Sequence, residues 1–184
     1  MKINAQTSLV NVARAVCTAL DEVGITAVLT GGSAATYYAP AAYQSADIDF
    51  VAVRFKTLAA DNAADSAMLA IGFQRKRDHY RHAASPYPVE FPPGPLAVGG
   101  ELLEDWRTDS VDHTVLHVLS PTDSCKDRLA AFLHWNDRPG LAQALAVART
   151  TGDQIDFHDL ERWFTAEGAE DKYAEFLRRL RQAE

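Results

Sequence analysis

Cysteine and methionine are scarce in this chain, which has two of each among its 184 residues. Two cysteines cannot build the dense disulfide framework that stabilises many small secreted domains. Both Cys17 and Cys125 lie in helical patterns among apolar neighbours, which favours buried free thiols in a reducing cytosol. Positive charge is also in short supply, because 18 Lys and Arg face 25 Asp and Glu, for a formal net charge of −7. This balance argues against a general nucleic-acid binder but is compatible with a local basic patch.

Long apolar runs and processing signals are absent as well. No stretch approaches the roughly 20 apolar residues of a membrane span, and the N-terminal residues show no apolar run with a cleavage pattern. We therefore expect a cytoplasmic protein without a membrane partner. With 184 residues, of which 47% are hydrophobic and 23% charged, the chain can form one compact domain or a core domain with a small appendage.

The chemically informative residues begin after an apolar run at 25–29, which predicts a buried strand. A second predicted strand at 47–53 carries Asp47 and Asp49. Because side chains alternate along a strand, we expect both aspartates on one face and Ile48 on the other, core-facing side. Neighbouring carboxylates repel each other unless a cation lies between them. Hard oxygen ligands favour Mg²⁺ or Mn²⁺, so this pair predicts a divalent-metal site.

Gly31, Gly32 and Ser33 follow the first predicted strand, and a short helix is predicted at 33–39. Glycines allow backbone N–H groups to approach a ligand closely, and a helix N-terminus favours an anion such as phosphate. The stretch is not a P-loop, because no Lys-Ser or Lys-Thr follows the glycines, and it lacks the dinucleotide-binding G-x-G-x-x-G pattern. A phosphate site beside a metal pair is the layout of phosphoryl or nucleotidyl transfer.

Gly32-Ser33, followed after thirteen residues by Asp47-Ile48-Asp49, resembles the signature of the DNA-polymerase-β-type nucleotidyltransferases. The pattern is most similar to the minimal bacterial members, including the abortive-infection group, and the resemblance extends over roughly residues 8–135. It implies that the two aspartates hold metal and that a third acid comes from a later strand.

Glu90 is the candidate for that third acid. A strand is predicted at 87–91, with Val89 and Phe91 on one face and Glu90 on the other. The resemblance implies a third carboxylate at this place, although Asp is the commoner residue there. The flanking prolines disfavour a fully paired central strand, so an edge-strand charge facing water is the alternative.

Lys126 is the candidate cation. Ser120 and Pro121 predict the start of a helix that runs to about residue 135. Lys126 lies early in this helix, where the helix dipole disfavours a cation, at the border of the apolar stripe that includes Leu129. The resemblance implies a lysine on this helix that contacts the nucleotide phosphates. The alternative is a lysine whose stem lies along the core edge while its charge stays in water.

The most basic run of the chain lies at 75–82. It comes after a helix predicted at 57–71 and overlaps the end of a strand predicted near 73–77. One interpretation is a contact to a triphosphate or to a nucleic-acid acceptor, and the other is a solvated hairpin. His79 and His82 within the run raise the further alternative of a zinc hydrolase, although no cysteine lies near and other ligands are undefined.

The remaining patterns predict a strand at 111–119 and then only helices. We therefore predict an α/β (α+β) fold in which residues 1–119 form a nucleotidyltransferase-like mixed sheet flanked by helices. Residues 120–184 are predicted to form a C-terminal helical subdomain.

The predicted function is nucleotidyl transfer, in which an NTP donates a nucleoside monophosphate to an acceptor hydroxyl with the help of Mg²⁺ or Mn²⁺. The predicted catalytic metal ligands are Asp47, Asp49 and Glu90. The predicted nucleotide-binding residues are Gly31, Gly32, Ser33 and Lys126. The acceptor is left open among transfer RNA, protein and small molecule. The alternatives are a non-catalytic nucleotide- or partner-binding module of the same fold, or a toxin–antitoxin component that binds a cognate toxin or antitoxin protein.

Overall fold

The computed structural model of the protein describes residues 2–55 and 60–182. The helices of this part are α1 (Leu9–Glu22), α2 (Gly31–Tyr38), α3 (Ala60–Ala70), α4 (Pro121–Trp135), α5 (Arg138–Thr151), α6 (Phe157–Ala166) and α7 (Glu170–Arg181), with a short 3₁₀ turn at Gly152–Gln154. The strands are β1 (Ile25–Thr30), β2 (Ile48–Phe55), β3 (Phe73–Lys76), β4 (His79–His82), β5 (Val89–Glu90), β6 (Ala97–Val98), β7 (Glu101–Leu102), β8 (Arg107–Val111) and β9 (Thr114–Val118).

Seven of these strands form one sheet in the order β3-β4-β5-β2-β1-β9-β8. The pairs β2–β5 and β1–β9 are parallel, and the other neighbouring pairs are antiparallel. Strands β6 and β7 form a separate two-stranded hairpin. The prediction of a mixed α/β fold with a mixed sheet is therefore confirmed.

The main hydrophobic core lies on one face of the sheet. Ile48 and Phe50 of β2 are completely buried in it, as the alternation along this strand predicts. The same core includes Trp163 of α6 and Phe176 of α7. Residues from both predicted ranges, 1–119 and 120–184, thus share one apolar interior.

Local sequence signals fix most helix starts. The Ser120 hydroxyl accepts a hydrogen bond from the backbone N–H of Asp123 at 3.0 Å, which caps α4. The Asp156 carboxylate caps α6 in the same way by accepting from the N–H of Asp159 at 2.9 Å. The helix predicted at 57–71 is found as α3, although positions 57–59 lie outside the described residues.

Several predicted elements differ from the structure in their bounds or pairing. The strand predicted at 111–119 is found as β9 but begins only at Thr114, because Asp112, with a φ of 51°, turns the chain and separates β9 from β8. Helix α2 begins at Gly31 instead of Ser33. Strand β5 lies between β4 and β2, so it is an interior strand, but only two residues of it pair. The flanking prolines lack the N–H groups that a longer ladder would need.

The two cysteines are buried free thiols, as the sequence predicts. Cys17 and Cys125 are both buried and free. Burial raises the pKa of the Cys17 thiol to about 11, so this side chain is a neutral core residue. Among the described residues, no helix is both long enough and apolar enough to cross a membrane.

Ile48→Ala should lower the free energy of unfolding by about 2–5 kcal/mol, because it removes a completely buried side chain and leaves a cavity. Leu69→Ala is the matched control, since Leu69 of α3 is 64% exposed, and its effect should stay within about 0.5 kcal/mol. Urea unfolding of both variants measures the difference. Equal stability of Ile48→Ala and wild type would show that the face assignment of β2 is wrong.

Candidate active site

A row of polar side chains crosses five neighbouring strands on the sheet face that lies away from the main core. Lys76 of β3 is in register with His79 of β4, and His79 is in register with Glu90 of β5. Glu90 is paired with Asp49 of β2, and Asp49 is paired with Thr30 of β1. Residues in register on adjacent strands project from the same face, so these five side chains form one line.

The neighbours of this row confirm the assignment of faces. One position along each inner strand, the side chains turn to the core and are at most 7% exposed. These residues are Tyr80, Val89, Ile48 and Leu29. A smaller apolar cluster, formed by Val28, Leu96, Val98 and Leu119, lies apart from the main core and has Val51 and Val53 packed against it. Because Val51 and Val53 share the Asp49 face of β2, this cluster adjoins the polar row.

Asp49 is the electrostatic centre of the row. Burial first, and then the negative charges of Asp47 and Glu90, raise the pKa of its carboxyl from 3.8 to about 6. The positive charge of Arg128 opposes the rise. Both predicted partner acids therefore act electrostatically on Asp49, and Glu90 is its cross-strand partner, whereas joint metal binding by the three acids stays a prediction.

Asp47 reaches the site from the bend just before β2 and not from the strand itself. Its Oδ1 atom accepts a hydrogen bond from the Ser45 hydroxyl at 3.0 Å. The backbone N–H of Ser45 in turn donates to the Thr36 hydroxyl of α2 at 2.8 Å. These contacts hold the loop that carries Asp47 against α2.

The glycines bring the start of α2 against the acids. Gly31 has a φ of +62°, and a Cβ atom built on it would lie 2.8 Å from Oδ2 of Asp49. A Cβ atom on Gly32 would lie 2.9 Å from the Tyr43 hydroxyl and 2.9 Å from the Ser45 hydroxyl. Any side chain at either position would have to displace these groups, so glycine is what permits this close approach.

Ser33 connects α2 to the acid-bearing strand. Its side chain is buried, and its hydroxyl donates to the Thr30 carbonyl at 2.8 Å while accepting from the Asp49 N–H at 3.2 Å. The hydroxyl is therefore already engaged in positioning Asp49. A contact of Gly31, Gly32 or Ser33 with a nucleotide stays a prediction, and the backbone N–H groups are the atoms that would make it.

Lys126 lies in a buried ion-pair network. Its side chain is 2% exposed, and Nζ lies 2.8 Å from Glu101 Oε2 and 2.6 Å from Asp159 Oδ2. Arg162 pairs with the same two carboxylates. Burial opposes the ammonium charge, but the hydrogen bonds to Asp159 and Glu101 raise the pKa of Lys126 above its usual value. The network joins α4, α6 and the β6–β7 hairpin, and a phosphate contact of Lys126 stays a prediction.

Arg128 is the residue that the sequence interpretation missed. It lies on α4, two positions after Lys126, and its charge lowers the pKa of Asp49. Its guanidinium pairs with Asp127 at 2.5 Å and reaches Gln143 at 3.4 Å. Two positions turn a helix by roughly 200°, so the two cations project in nearly opposite directions. The helical periodicity of α4 could have suggested Arg128, but only the packing of α4 determines which cation faces the acids.

The donor atoms of the site suit a hard divalent cation. Asp47, Asp49 and Glu90 supply carboxylate oxygens. The raised pKa of Asp49, caused first by burial and then by the charges of Asp47 and Glu90, marks a poorly compensated negative charge that Mg²⁺ or Mn²⁺ would neutralise. Within residues 2–55 and 60–182, no group of three or more His, Cys, Asp or Glu side chains is already arranged to hold a metal ion. The acids thus fit such a cation by their chemistry, and binding would have to draw them closer together.

The histidines of β4 do not form a zinc pair. His79 Nδ1 lies 3.0 Å from Asp78 Oδ1, on the face of the polar row. His82 projects to the other face, where its ring packs 5.2 Å from that of Phe73. Side chains three positions apart on a strand point in opposite directions, so both cannot bind one ion from this strand.

A cavity of about 410 Å³ lies on the core side of the sheet. Its walls include the core-facing residues Ala52 and Tyr80, together with Phe91 and Arg75. None of the predicted site residues lines it. The polar row and this cavity are therefore separate features on opposite faces.

Comparison with known proteins does not assign the chain to a family, because no family model, curated protein or solved structure matches it. The candidate function consequently depends on the geometry of the site itself.

Asp49→Asn should change how stability depends on pH. The carboxyl has a pKa of about 6 in the folded protein and an ordinary value near 3.8. Between these two pH values, the folded chain therefore binds more protons than the unfolded chain does. Stability should therefore fall as pH rises from about 4 to about 6. Asp49→Asn removes this loss and should be more stable than wild type by about 1 kcal/mol near pH 7.5, after allowance for solvent screening. Near pH 4 the difference should vanish.

Urea unfolding at both pH values, without divalent metal, measures this effect. Asp112→Asn is the matched control, because Asp112 is exposed in the β8–β9 turn and Asn tolerates its positive φ. A pH-independent difference between Asp49→Asn and wild type would contradict the raised pKa.

Lys126→Ala should lower the free energy of unfolding by about 3 kcal/mol, because it leaves two partly buried carboxylates with one fewer cation. The continuing contacts from Arg162 keep the loss near the lower end of the usual range. Lys76→Ala, which truncates an exposed lysine, should change stability by less than about 0.5 kcal/mol. Chemical denaturation compares the two, and equal small effects would mean that the Lys126 network adds nothing to the fold.

Proposed function

We propose that this chain is a metal-dependent nucleotidyltransferase of the DNA-polymerase-β type, which transfers a nucleoside monophosphate from an NTP to an acceptor hydroxyl. The observation that carries the proposal is the in-register pairing of Asp49 and Glu90 on the parallel strands β2 and β5. The start of α2 lies directly beside this pair, since Gly31 has no room for a Cβ atom next to the Asp49 carboxylate.

The proposed fold type is supported by the unit that carries the site. Strand β1 leads through Gly31 and Gly32 into α2, and the chain then returns as the antiparallel strand β2 beside β1. Thr30 at the end of β1 is paired with Asp49. This arrangement puts a glycine-containing helix start and the acids at the same edge, as the resemblance in the sequence implies.

In the proposed reaction, the backbone N–H groups at the start of α2 bind the phosphates of the NTP, favoured by the helix dipole. Asp47, Asp49 and Glu90 would hold Mg²⁺ or Mn²⁺, which neutralises triphosphate charge and lowers the pKa of the acceptor hydroxyl. The acceptor hydroxyl gives its proton to water, its oxygen bonds to the α-phosphorus, and the bond to the leaving pyrophosphate breaks. The protein contributes mainly by holding donor and acceptor in line, because phosphoryl chemistry needs little covalent help from side chains.

Arg128 has a place in this proposal that was not predicted from the sequence. Its charge acts on Asp49 from α4, on which Lys126 is engaged with Glu101 and Asp159. Arg128 is therefore the cation of α4 whose charge reaches Asp49, although it is itself paired with Asp127, whose charge has the opposite effect. To bind a phosphate, Arg128 would have to leave one carboxylate, whereas Lys126 would have to leave two.

Wild-type protein with Mg²⁺ should transfer label from at least one of the four α-labelled NTPs to RNA, protein or a small molecule in a cell extract. Asp49→Asn and Glu90→Gln should each lower this transfer by at least about 100-fold, because each removes a metal-binding carboxylate. Asp112→Asn makes the same chemical change at an exposed turn and should retain full activity.

Two results would contradict the proposal. One is labelling by Asp49→Asn at the wild-type rate. The other is Mg²⁺-dependent nucleotide binding, measured by calorimetry, with no transfer to any acceptor, which would identify a non-catalytic module of the same fold.

A further inference from the structure

The polar row ends in a basic hairpin on the side away from the glycines. Lys76 on β3 and His79 on β4 continue the line of Glu90 and Asp49. Arg81 lies two positions after His79 and therefore projects from the same face. The acids thus have the start of α2 on one side and a basic hairpin, β3–β4, on the other.

Two cations of this hairpin face have no acidic partner. Among the side chains that the structure describes, Lys76 and Arg81 form no ion pair with a carboxylate. Arg75 of the same hairpin behaves differently, because it projects from the other face, pairs with Asp65 at 3.5 Å and lies over the Tyr80 ring. Arg75, which is paired with an acid, therefore lies on one face of the sheet, and Lys76 and Arg81, which can bind an anionic ligand, lie on the other.

His79 orients Arg81 toward the row. Its Nε2 atom accepts a hydrogen bond from Arg81 Nε at 3.3 Å, so the ring proton is on Nδ1, which donates to Asp78 at 3.0 Å. This chain of contacts uses only Nε of the guanidinium. The two terminal nitrogens of Arg81 remain to bind a ligand, and a guanidinium fork matches the oxygens of a phosphate.

The position of these cations decides which phosphates they suit. Neighbouring strands lie about 4.8 Å apart, so β4 is roughly 10 Å and β3 roughly 14 Å from the Asp49 strand. The phosphates of the NTP are expected at the opposite side of the acids, next to Gly31, which lies against Asp49. A transfer site needs its second substrate across the metal from the first, and the basic hairpin occupies that side.

We propose that Lys76 and Arg81 form a subsite for the phosphate backbone of an RNA acceptor, an inference that rests on the proposed nucleotidyl transfer. With a formal net charge of −7, most of the protein repels a polyanion, so the acceptor is drawn to this local patch. The contacts go to the backbone and carry no sequence preference of their own. The subsite holds the RNA so that a terminal hydroxyl meets the acids.

The test compares two variants of one hairpin. Lys76→Ala/Arg81→Ala removes the row-facing cations, and Arg75→Ala removes an arginine from the same hairpin on the opposite face. Binding of a fluorescently labelled single-stranded RNA is measured by anisotropy over a series of salt concentrations. The double variant should bind about tenfold more weakly, and its slope of log K against log salt should fall by about 1.4, at about 0.7 per contact. Arg75→Ala should match wild type in both values.

A second arm separates acceptor from donor. Calorimetry with Mg²⁺ and NTP should give the same nucleotide affinity for wild type and the double variant. Equal RNA affinity of the double variant and wild type would overturn the proposal. So would a loss of nucleotide affinity with RNA binding retained, which would assign the cations to the triphosphate.

The transfer assay keeps this proposal distinct from the proposed function. If RNA binding weakens as expected but wild type transfers no nucleotide, the subsite stands as an RNA-binding surface and the catalytic proposal fails. If wild type labels RNA while the double variant binds RNA as well as wild type does, the catalytic proposal stands and the subsite is refuted. Thermal melting of both variants shows that these exposed substitutions leave the fold intact.

Discussion

The alternation of side chains along β2 is the constraint on which the rest of the structure depends. Ile48 and Phe50 are buried in the main core, so Asp49 must project from the other face. A shift of register by one residue would bury the acid and expose the two apolar side chains. The free energy that holds the core therefore also fixes the position of the acid, and the paired strands β5 and β1 extend this order to Glu90 and Thr30.

The same arrangement has an electrostatic cost at the site. Asp49 is partly buried beside two other carboxylates, and its pKa is raised because its charge is poorly compensated. A group raised in this way destabilises the folded protein at neutral pH. Other buried charges are compensated by partners, as in the network of Lys126 with Glu101 and Asp159. Such local electrostatic frustration is typical of sites arranged to bind a cation or a charged substrate.

Features fixed by neighbouring residues could be predicted from the sequence, whereas features fixed by distant contacts could not. Ser120 and Asp156 cap their helices through residues three positions away, so the caps are readable locally. The partners of Lys126 lie 25 and 33 positions away, at Glu101 and Asp159, and no local sequence pattern predicts them. Glu90 shows both cases, because alternation predicts its face, but only pairing with β2 makes its two-residue strand an interior one.

The turn at Asp112 shows how a longer alternating pattern can hide a local turn signal in the sequence. Alternating residues from 111 to 119 match a strand, yet a positive φ at one residue folds the segment into the hairpin β8–β9. Aspartate tolerates this conformation better than most side chains do, so the signal was present but weak. In the basic hairpin, Arg77 has a φ of 61° at the β3–β4 turn. This turn fixes the register that aligns Lys76 with His79, and through His79 with Glu90. Backbone geometry at one exposed residue therefore determines which cations of the basic run share a face with the acids.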